Sequence, residues 1–254
     1  MTTVLLIPLF LCWGSFLNVI AFRLISTSIP FFSPRSQCPS CKTIIAWYDN
    51  IPLLSWLLLK GSCRSCKQPI SLLYPFIEAI TALSFYGLTL TTPLCYWPGY
   101  FIFFSALIIS IRTDLETLLL SRFVTLWLIP FGYLSSFFGI LPLSWQESII
   151  GSLTAYLFLF AIGYAYCLIT KKVGMGQGDV ELLAFIGSCI GFIGWWTTLL
   201  IASLMGTCGG IFIMLAYKRS LVGIKIPFGP FLASGAMLYV LFQKEILNLI
   251  LMGI

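Results

Sequence analysis

The sequence predicts an all-α, polytopic membrane protein of about eight transmembrane helices, with a small cytoplasmic zinc-knuckle domain between the first and second. Three observations predict it. Hydrophobic residues make up 59% of the 254-residue chain and charged residues 9%, for a mean hydropathy of +1.03. Apolar runs long enough to cross a bilayer, about 17–25 residues, recur along the chain. The longest stretch without such a run holds two Cys-x-x-Cys pairs.

The expected spans are 3–25, 72–92, 97–113, 118–140, 148–170, 180–196, 197–217 and 229–250. The first lacks a basic n-region and an Ala-x-Ala cleavage site, so it reads as a retained helix. The sixth and seventh are divided only by Gly194 to Thr198. With the N-terminus outside, Arg23, Arg35, Lys42, Lys60, Arg64, Lys67, Arg112, Arg122, Lys171, Lys172, Lys218, Arg219 and Lys225 all fall in the cytoplasm, leaving Lys244 outside. The positive-inside rule fits this arrangement. The net charge of +6 is therefore topological, and no basic helix or aromatic platform suggests nucleic acid. The division expected is 1–25 as a first helix, 26–71 as a cytoplasmic tetracysteine domain and 72–254 as the main membrane domain.

In the first helix, Gly14-Ser15-Phe16-Leu17-Asn18 permits close packing, and Asn18 is expected to hydrogen-bond within the bundle. Cys38-Pro39-Ser40-Cys41 and Cys63-Arg64-Ser65-Cys66 follow, with residues 42–62 between them. Four thiolates in two such pairs supply a tetrahedral zinc site, although this separation slightly exceeds the usual ribbon spacing. A reducing cytosol disfavours disulfides there. Cys12, Cys95, Cys167, Cys189 and Cys208 lie in or near apolar spans and read as core thiols.

Trp47-Tyr48-Asp49-Asn50-Ile51-Pro52, continuing to Lys60, is too short to cross a bilayer, and its aromatics suit a headgroup interface. Tyr74-Pro75-Phe76-Ile77-Glu78 opens the second span. Glu78 reads equally as a helix-start charge or as part of a site. The third span runs into Arg112-Thr113-Asp114-Leu115-Glu116. The fifth ends at Lys171-Lys172, just before Gly174-Met175-Gly176-Gln177-Gly178-Asp179. Lys225-Ile226-Pro227-Phe228-Gly229-Pro230 is a rigid turn into the last span, with proline suited to a first helical turn.

The chemistry available is narrow. The chain has no histidine, which excludes His-based serine or cysteine hydrolases, His-ligated metalloproteases and His proton shuttles. Its acids are Asp49, Glu78, Asp114, Glu116, Glu147, Asp179, Glu181 and Glu245, and the topology places Glu147 and Glu245 outside. Two close carboxylates can share one proton, one activating water while the other polarises a carbonyl. Asp114 and Asp179 are the pair that position favours. Gly176 and Gly178 would let another polypeptide lie beside Asp179, although a flexible turn with Asp at a helix start explains the same residues. The Gly-x-Gly-Asp pattern resembles the signature of intramembrane aspartic proteases.

Over nearly its whole length the sequence resembles the bacterial type IV prepilin peptidases, also called leader peptidase/N-methyltransferases. The resemblance rests on Gly14 to Val19, the two cysteine pairs flanking Trp47 to Pro52, and Tyr74-Pro75 with Glu78. It extends through Asp114, the Gly174–Asp179 stretch and Ile226 to Pro230. It implies that Asp114 and Asp179 are catalytic. It also implies an inner-membrane enzyme that cuts prepilins or secretion pseudopilins after a short basic leader at the cytoplasmic face. Larger members methylate the new N-terminus with S-adenosylmethionine. Two departures stand out. Ser121-Arg122 replaces the usual Pro-Asp or Pro-Asn, and Glu181 replaces the usual lysine, a change expected to alter the pH optimum or substrate choice. Other readings are a peptidase without methyl transfer, a transporter or channel using Asp179 on a broken helix, and a thiol-redox protein. Acids at one membrane face oppose the transporter, and cytoplasmic cysteines oppose redox chemistry.

Overall fold

The computed structural model describes residues 2–25, 36–172, 174–217 and 227–252. Arg35, Lys218, Arg219, Lys225 and Ile226, used above for topology or motif, lie outside them. Ten α-helices are described: α1 Ile7–Ile25, α2 Leu54–Leu58, α3 Leu73–Thr91, α4 Trp97–Thr117, α5 Arg122–Thr125, α6 Ile129–Phe137, α7 Trp145–Thr170, α8 Gln177–Tyr217, α9 Gly229–Leu241 and α10 Gln243–Met252. Among the described residues β-structure is limited to two isolated bridges, Gln37 with Ile44 and Ser62 with Pro69. The chain divides into two units, Met1–Leu90 and Thr91–Ile254.

In the first unit, α1 and α3 approach closely because Gly14 has no side chain. A Cβ there would stand 2.9 Å from the Cα of Glu78 and 2.9 Å from the Cβ of Thr81. The Asn18 amide donates to the Tyr74 carbonyl at 3.1 Å, as expected for a polar group that must be satisfied inside a bundle. Phe10 and Phe85 pack with ring centroids 5.7 Å apart. Each β-bridge closes a tight loop around one cysteine pair, with Lys42 and Lys67 in the left-handed conformation just after Cys41 and Cys66.

The second unit is a helical bundle built on α8. Backbones of α7 and α8 nearly touch: a Cβ on Gly151 would lie 2.4 Å from the Gly187 carbonyl oxygen, and one on Gly187 would lie 2.5 Å from that of Gly151. The Ser148 hydroxyl donates to the Ser188 carbonyl at 2.5 Å across the same seam. Phe103 of α4 meets Phe185 of α8 at 5.5 Å, edge to face, a favourable arrangement for buried rings. A reciprocal cap at Ser144 and Glu147 starts α7.

Among the described residues, five helical segments are long and apolar enough to cross a membrane: Val4–Ile25, Leu73–Thr91, Leu94–Thr117, Trp145–Thr170 and Gln177–Phe212. The expected count of eight is not confirmed, and the differences have local causes. Residues 118–140 do not form one continuous helix. Leu118 turns left-handed after α4, and the chain continues as the short helices α5 and α6. The sixth and seventh expected spans are one helical run, interrupted at Gly191 (φ 71°, ψ −170°) and continuous through Gly194 to Thr198. Only glycine reaches that conformation without strain, whereas Gly194 stays helical. The last expected span divides into α9 and α10.

Candidate active site

The end of α4 and the starts of α5, α8 and α9 meet in the second unit. Asp114 lies in the penultimate turn of α4 and is buried. One of its carboxylate oxygens accepts the Gly229 N–H at 3.0 Å, at the first residue of α9. That N–H belongs to a first helical turn and has no partner within its own helix. A Cβ on Gly229 would stand 2.7 Å from the same oxygen, so the approach requires glycine.

Asp179 sits in the first turn of α8, half-buried, and its N–H donates to the Gly176 carbonyl at 3.2 Å. Asp114 and Asp179 are linked through Leu120, which packs against Gly178 beside Asp179 and against Gly229, the residue bonded to Asp114. The two acids favoured by the sequence are thus brought together. The glycines beside Asp179 differ in role. A Cβ on Gly178 would stand 2.9 Å from the Cβ of Leu120, whereas one on Gly176 would make an ordinary 3.5 Å contact with an Asp179 oxygen. Leu120 also reaches Gly229, its Cδ2 lying 3.3 Å from where a Cβ would be. One leucine therefore wedges between the starts of α8 and α9.

Sequence reasoning did not find this wedge, since a leucine in Leu118-Leu119-Leu120 carries no signal. Nor did it pair Arg122 with Glu181. Glu181 is 3% exposed; Arg122 Nε lies 3.6 Å from one of its oxygens, and the Thr125 hydroxyl donates to the other at 3.1 Å. Arg122 also donates to the Gln177 side-chain oxygen at 3.2 Å. Glu116 forms an ion pair with Arg112 one turn earlier on α4.

Glu78 belongs to the first unit. It is buried in α3, and its carboxylate accepts the Leu53 N–H at 2.9 Å. Leu53 has a φ of +59°, so this bond ties a strained turn before α2 to the α3 helix. The Trp56 indole N–H donates to the Ile70 carbonyl at 3.2 Å and anchors the other side of the segment.

The four cysteines of the two pairs converge, with all Sγ atoms within 4.8 Å of one another. Cys38 Sγ and Cys66 Sγ are 3.9 Å apart, close to the ~3.8 Å edge of a tetrahedron with metal–sulfur bonds of about 2.3 Å. The donor set fits a metal ion. Hydrogen bonding with Thr43, through its side chain and then its backbone, lowers the Cys41 thiol to about 6, which favours a thiolate ligand. Arg64, inside the second pair, forms an ion pair with Asp49 at 2.6 Å and holds that carboxyl below its usual range.

Comparison with known proteins finds two matching families. Residues 9–92 match the bacterial peptidase A24 N-terminal domain, and residues 101–211 match the type IV leader peptidase family. A "prepilin leader peptidase/N-methyltransferase" of Aeromonas hydrophila is 37% identical over 218 residues, covering 84% of this chain and 73% of the relative.

The chain belongs to the type IV leader peptidase family.

Other relatives of this leader peptidase agree. A Klebsiella pneumoniae protein with the same description is 38% identical, over 76% of this chain and 87% of its own. The "type 4 prepilin-like proteins leader peptide-processing enzyme" of Escherichia coli O78:H11 is 32% identical, over 91% and 90%. No solved structure matches the chain at a significant level. The leader peptidase is accordingly a multi-pass, helical membrane enzyme and a protease.

Proposed function

We propose that this enzyme removes the short basic leader from type IV prepilins or type II secretion pseudopilins at the cytoplasmic face of the inner membrane. It then methylates the new N-terminus with S-adenosylmethionine, the second activity named in its relatives. Asp114 and Asp179 form the catalytic dyad, with Gly178 admitting Leu120 beside it, Gly176 in a supporting role at the same turn, and Glu78 supporting the turn before α2. The observation that supports this reading is the shared packing of Leu120 against Gly178, the residue before Asp179, and against Gly229, whose N–H is bonded to Asp114.

The dyad shares one proton. The ionised member takes a proton from water as the oxygen attacks the scissile carbonyl, and the protonated member donates to the developing oxyanion. Collapse of the tetrahedral intermediate breaks the C–N bond, and a proton passes to the leaving amine. The Gly229 N–H orients Asp114 throughout. Residues 26–71 form the cytoplasmic domain, in which Cys38, Cys41, Cys63 and Cys66 hold a structural zinc ion. Bound there, zinc would brace the segment from Trp47 to Trp56, while the peptidase helices keep their own packing.

Co-expression with a prepilin, followed by mass spectrometry of the mature N-terminus, tests both activities. The parent enzyme should yield a leaderless, N-methylated product. Asp114→Asn or Asp179→Asn should abolish cleavage in an inserted, folded protein, and Glu116→Gln should be mild. Cleavage near the parent rate by either Asp variant would overturn the dyad.

A further inference from the structure

The geometry points to Arg122 and Glu181 as a positioning pair that sets the rotation of the helix end carrying Asp179. This inference rests on the peptidase reading above. The helix α5, Arg122–Thr125, is four residues long and far too short to be stable alone. Its attachment to α8 holds it in place. Both oxygens of Glu181 are occupied from it, one by the Arg122 guanidinium at 3.6 Å and one by the Thr125 hydroxyl at 3.1 Å. The same guanidinium reaches the Gln177 side-chain oxygen at 3.2 Å.

Helical geometry gives this grip a direction. Successive residues turn by about 100°, so Gln177 and Glu181 lie within about 40° on one face, while Asp179 points about 160° away from both. Arg122 therefore grips the first turn of α8 from behind, on the side opposite the carboxylate. The wedge transmits the same restraint. Leu120, two residues before Arg122, fills the space against Gly178 and Gly229, and the Gly229 N–H is bonded to Asp114. Releasing α5 would free the rotation of Asp179 and loosen the wedge beneath both acids.

The pair is asymmetric in burial. The Glu181 side chain is 3% exposed and that of Arg122 66%. Loss of the arginine leaves a buried carboxylate with a single hydroxyl partner, an expensive arrangement that the helix end relieves by shifting. Neither residue touches the reacting atoms in this assignment. The role is positional.

Charge exchange tests it. Arg122→Glu, Glu181→Arg and the double variant are purified in lipid nanodiscs and assayed on a prepilin-derived peptide. Each single change should lower kcat on the order of 100-fold, the scale of an ångström-sized misplacement, with KM nearly unchanged. The double variant, with the pair restored in opposite sense, should recover to within about threefold of the parent. Arg122→Lys, which keeps the charge but not the fork that spans Glu181 and Gln177, should fall between the parent and Arg122→Gln. If a bulky change at buried Glu181 prevents folding, Arg122→Gln and Glu181→Gln carry the test, each expected to lower kcat at constant KM. A double exchange no better than the worse single variant, or folded glutamine variants with parent kcat, would overturn the inference. A parent enzyme that does not cleave the peptide would instead overturn the peptidase reading.

Discussion

Gly176 and Gly178 look equivalent in the sequence and are not equivalent in space. A methyl group at Gly178 collides with the Cβ of Leu120, which is fixed to its backbone and cannot swing away. Overpacking of this kind costs about 1–3 kcal/mol, and here the strain falls one residue from Asp179. Gly178→Ala is expected to slow cleavage about tenfold or more, whereas Gly176→Ala, with room for a methyl group, should stay within about threefold. Steady-state rates of the two purified variants check this. Asp114, Asp179 and the four cysteines stood out as candidates at this scale, because an acid beside lipid is costly and two Cys-x-x-Cys pairs have metal-ligand spacing. Leu120 was not, since its role is a matter of shape. Arg122 and Glu181 were visible as two separate departures from the family pattern. Only the folded chain unites them, as an ion pair between the start of α5 and the first turn of α8.

Among the elements, the segment from Trp47 to Lys60 draws its order from a few bonds. The buried Glu78 carboxylate holds the Leu53 N–H, and the Ile70 carbonyl holds the Trp56 indole. Removing the carboxylate with Glu78→Ala leaves the Leu53 N–H without its acceptor and releases a backbone already at positive φ. Hydrogen–deuterium exchange across residues 51–59 should accelerate about tenfold or more, with exchange in α7 and α8 unchanged. The four converging cysteines flank the segment, and in the proposed function they hold zinc. Cys41→Ser should lower bound zinc well below one ion per chain and remove N-methylation while cleavage stays measurable, as zinc analysis and mass spectrometry of one preparation would reveal. The sequence showed a short segment between two cysteine pairs, and the fold brings the sulfur atoms of those pairs together. The tie to Glu78 was beyond the sequence, because the reading left that acid open between a helix-start charge and a site.

For the whole molecule, hydropathy identified the class and most of the long helices, since apolar length is a strong local signal. Its count of eight is not confirmed where backbone conformation decides. Leu118 ends α4 in a left-handed turn, and Gly191 interrupts α8 while nearby Gly194 does not. Neither event has a marker in composition. Orientation remains a matter of charge, and single-cysteine labelling in a folded, cysteine-free background measures it. Residue 42 should react only from the cytoplasm and residue 145 only from outside.

The break at Gly191 also bears on how the chain can change over evolutionary time. Between Asp179 and Gly191 the helix has two fixed appointments, the carboxylate at one end and the Gly151–Gly187 backbone contact near the other. One inserted residue would turn one of them away by about 100°. Beyond Gly191 the helical phase restarts, so an added or lost residue no longer rotates the Asp179 carboxylate relative to the Gly151–Gly187 contact. Insertions and deletions among related chains should therefore cluster on the C-terminal side of Gly191 and be absent between Asp179 and Gly187.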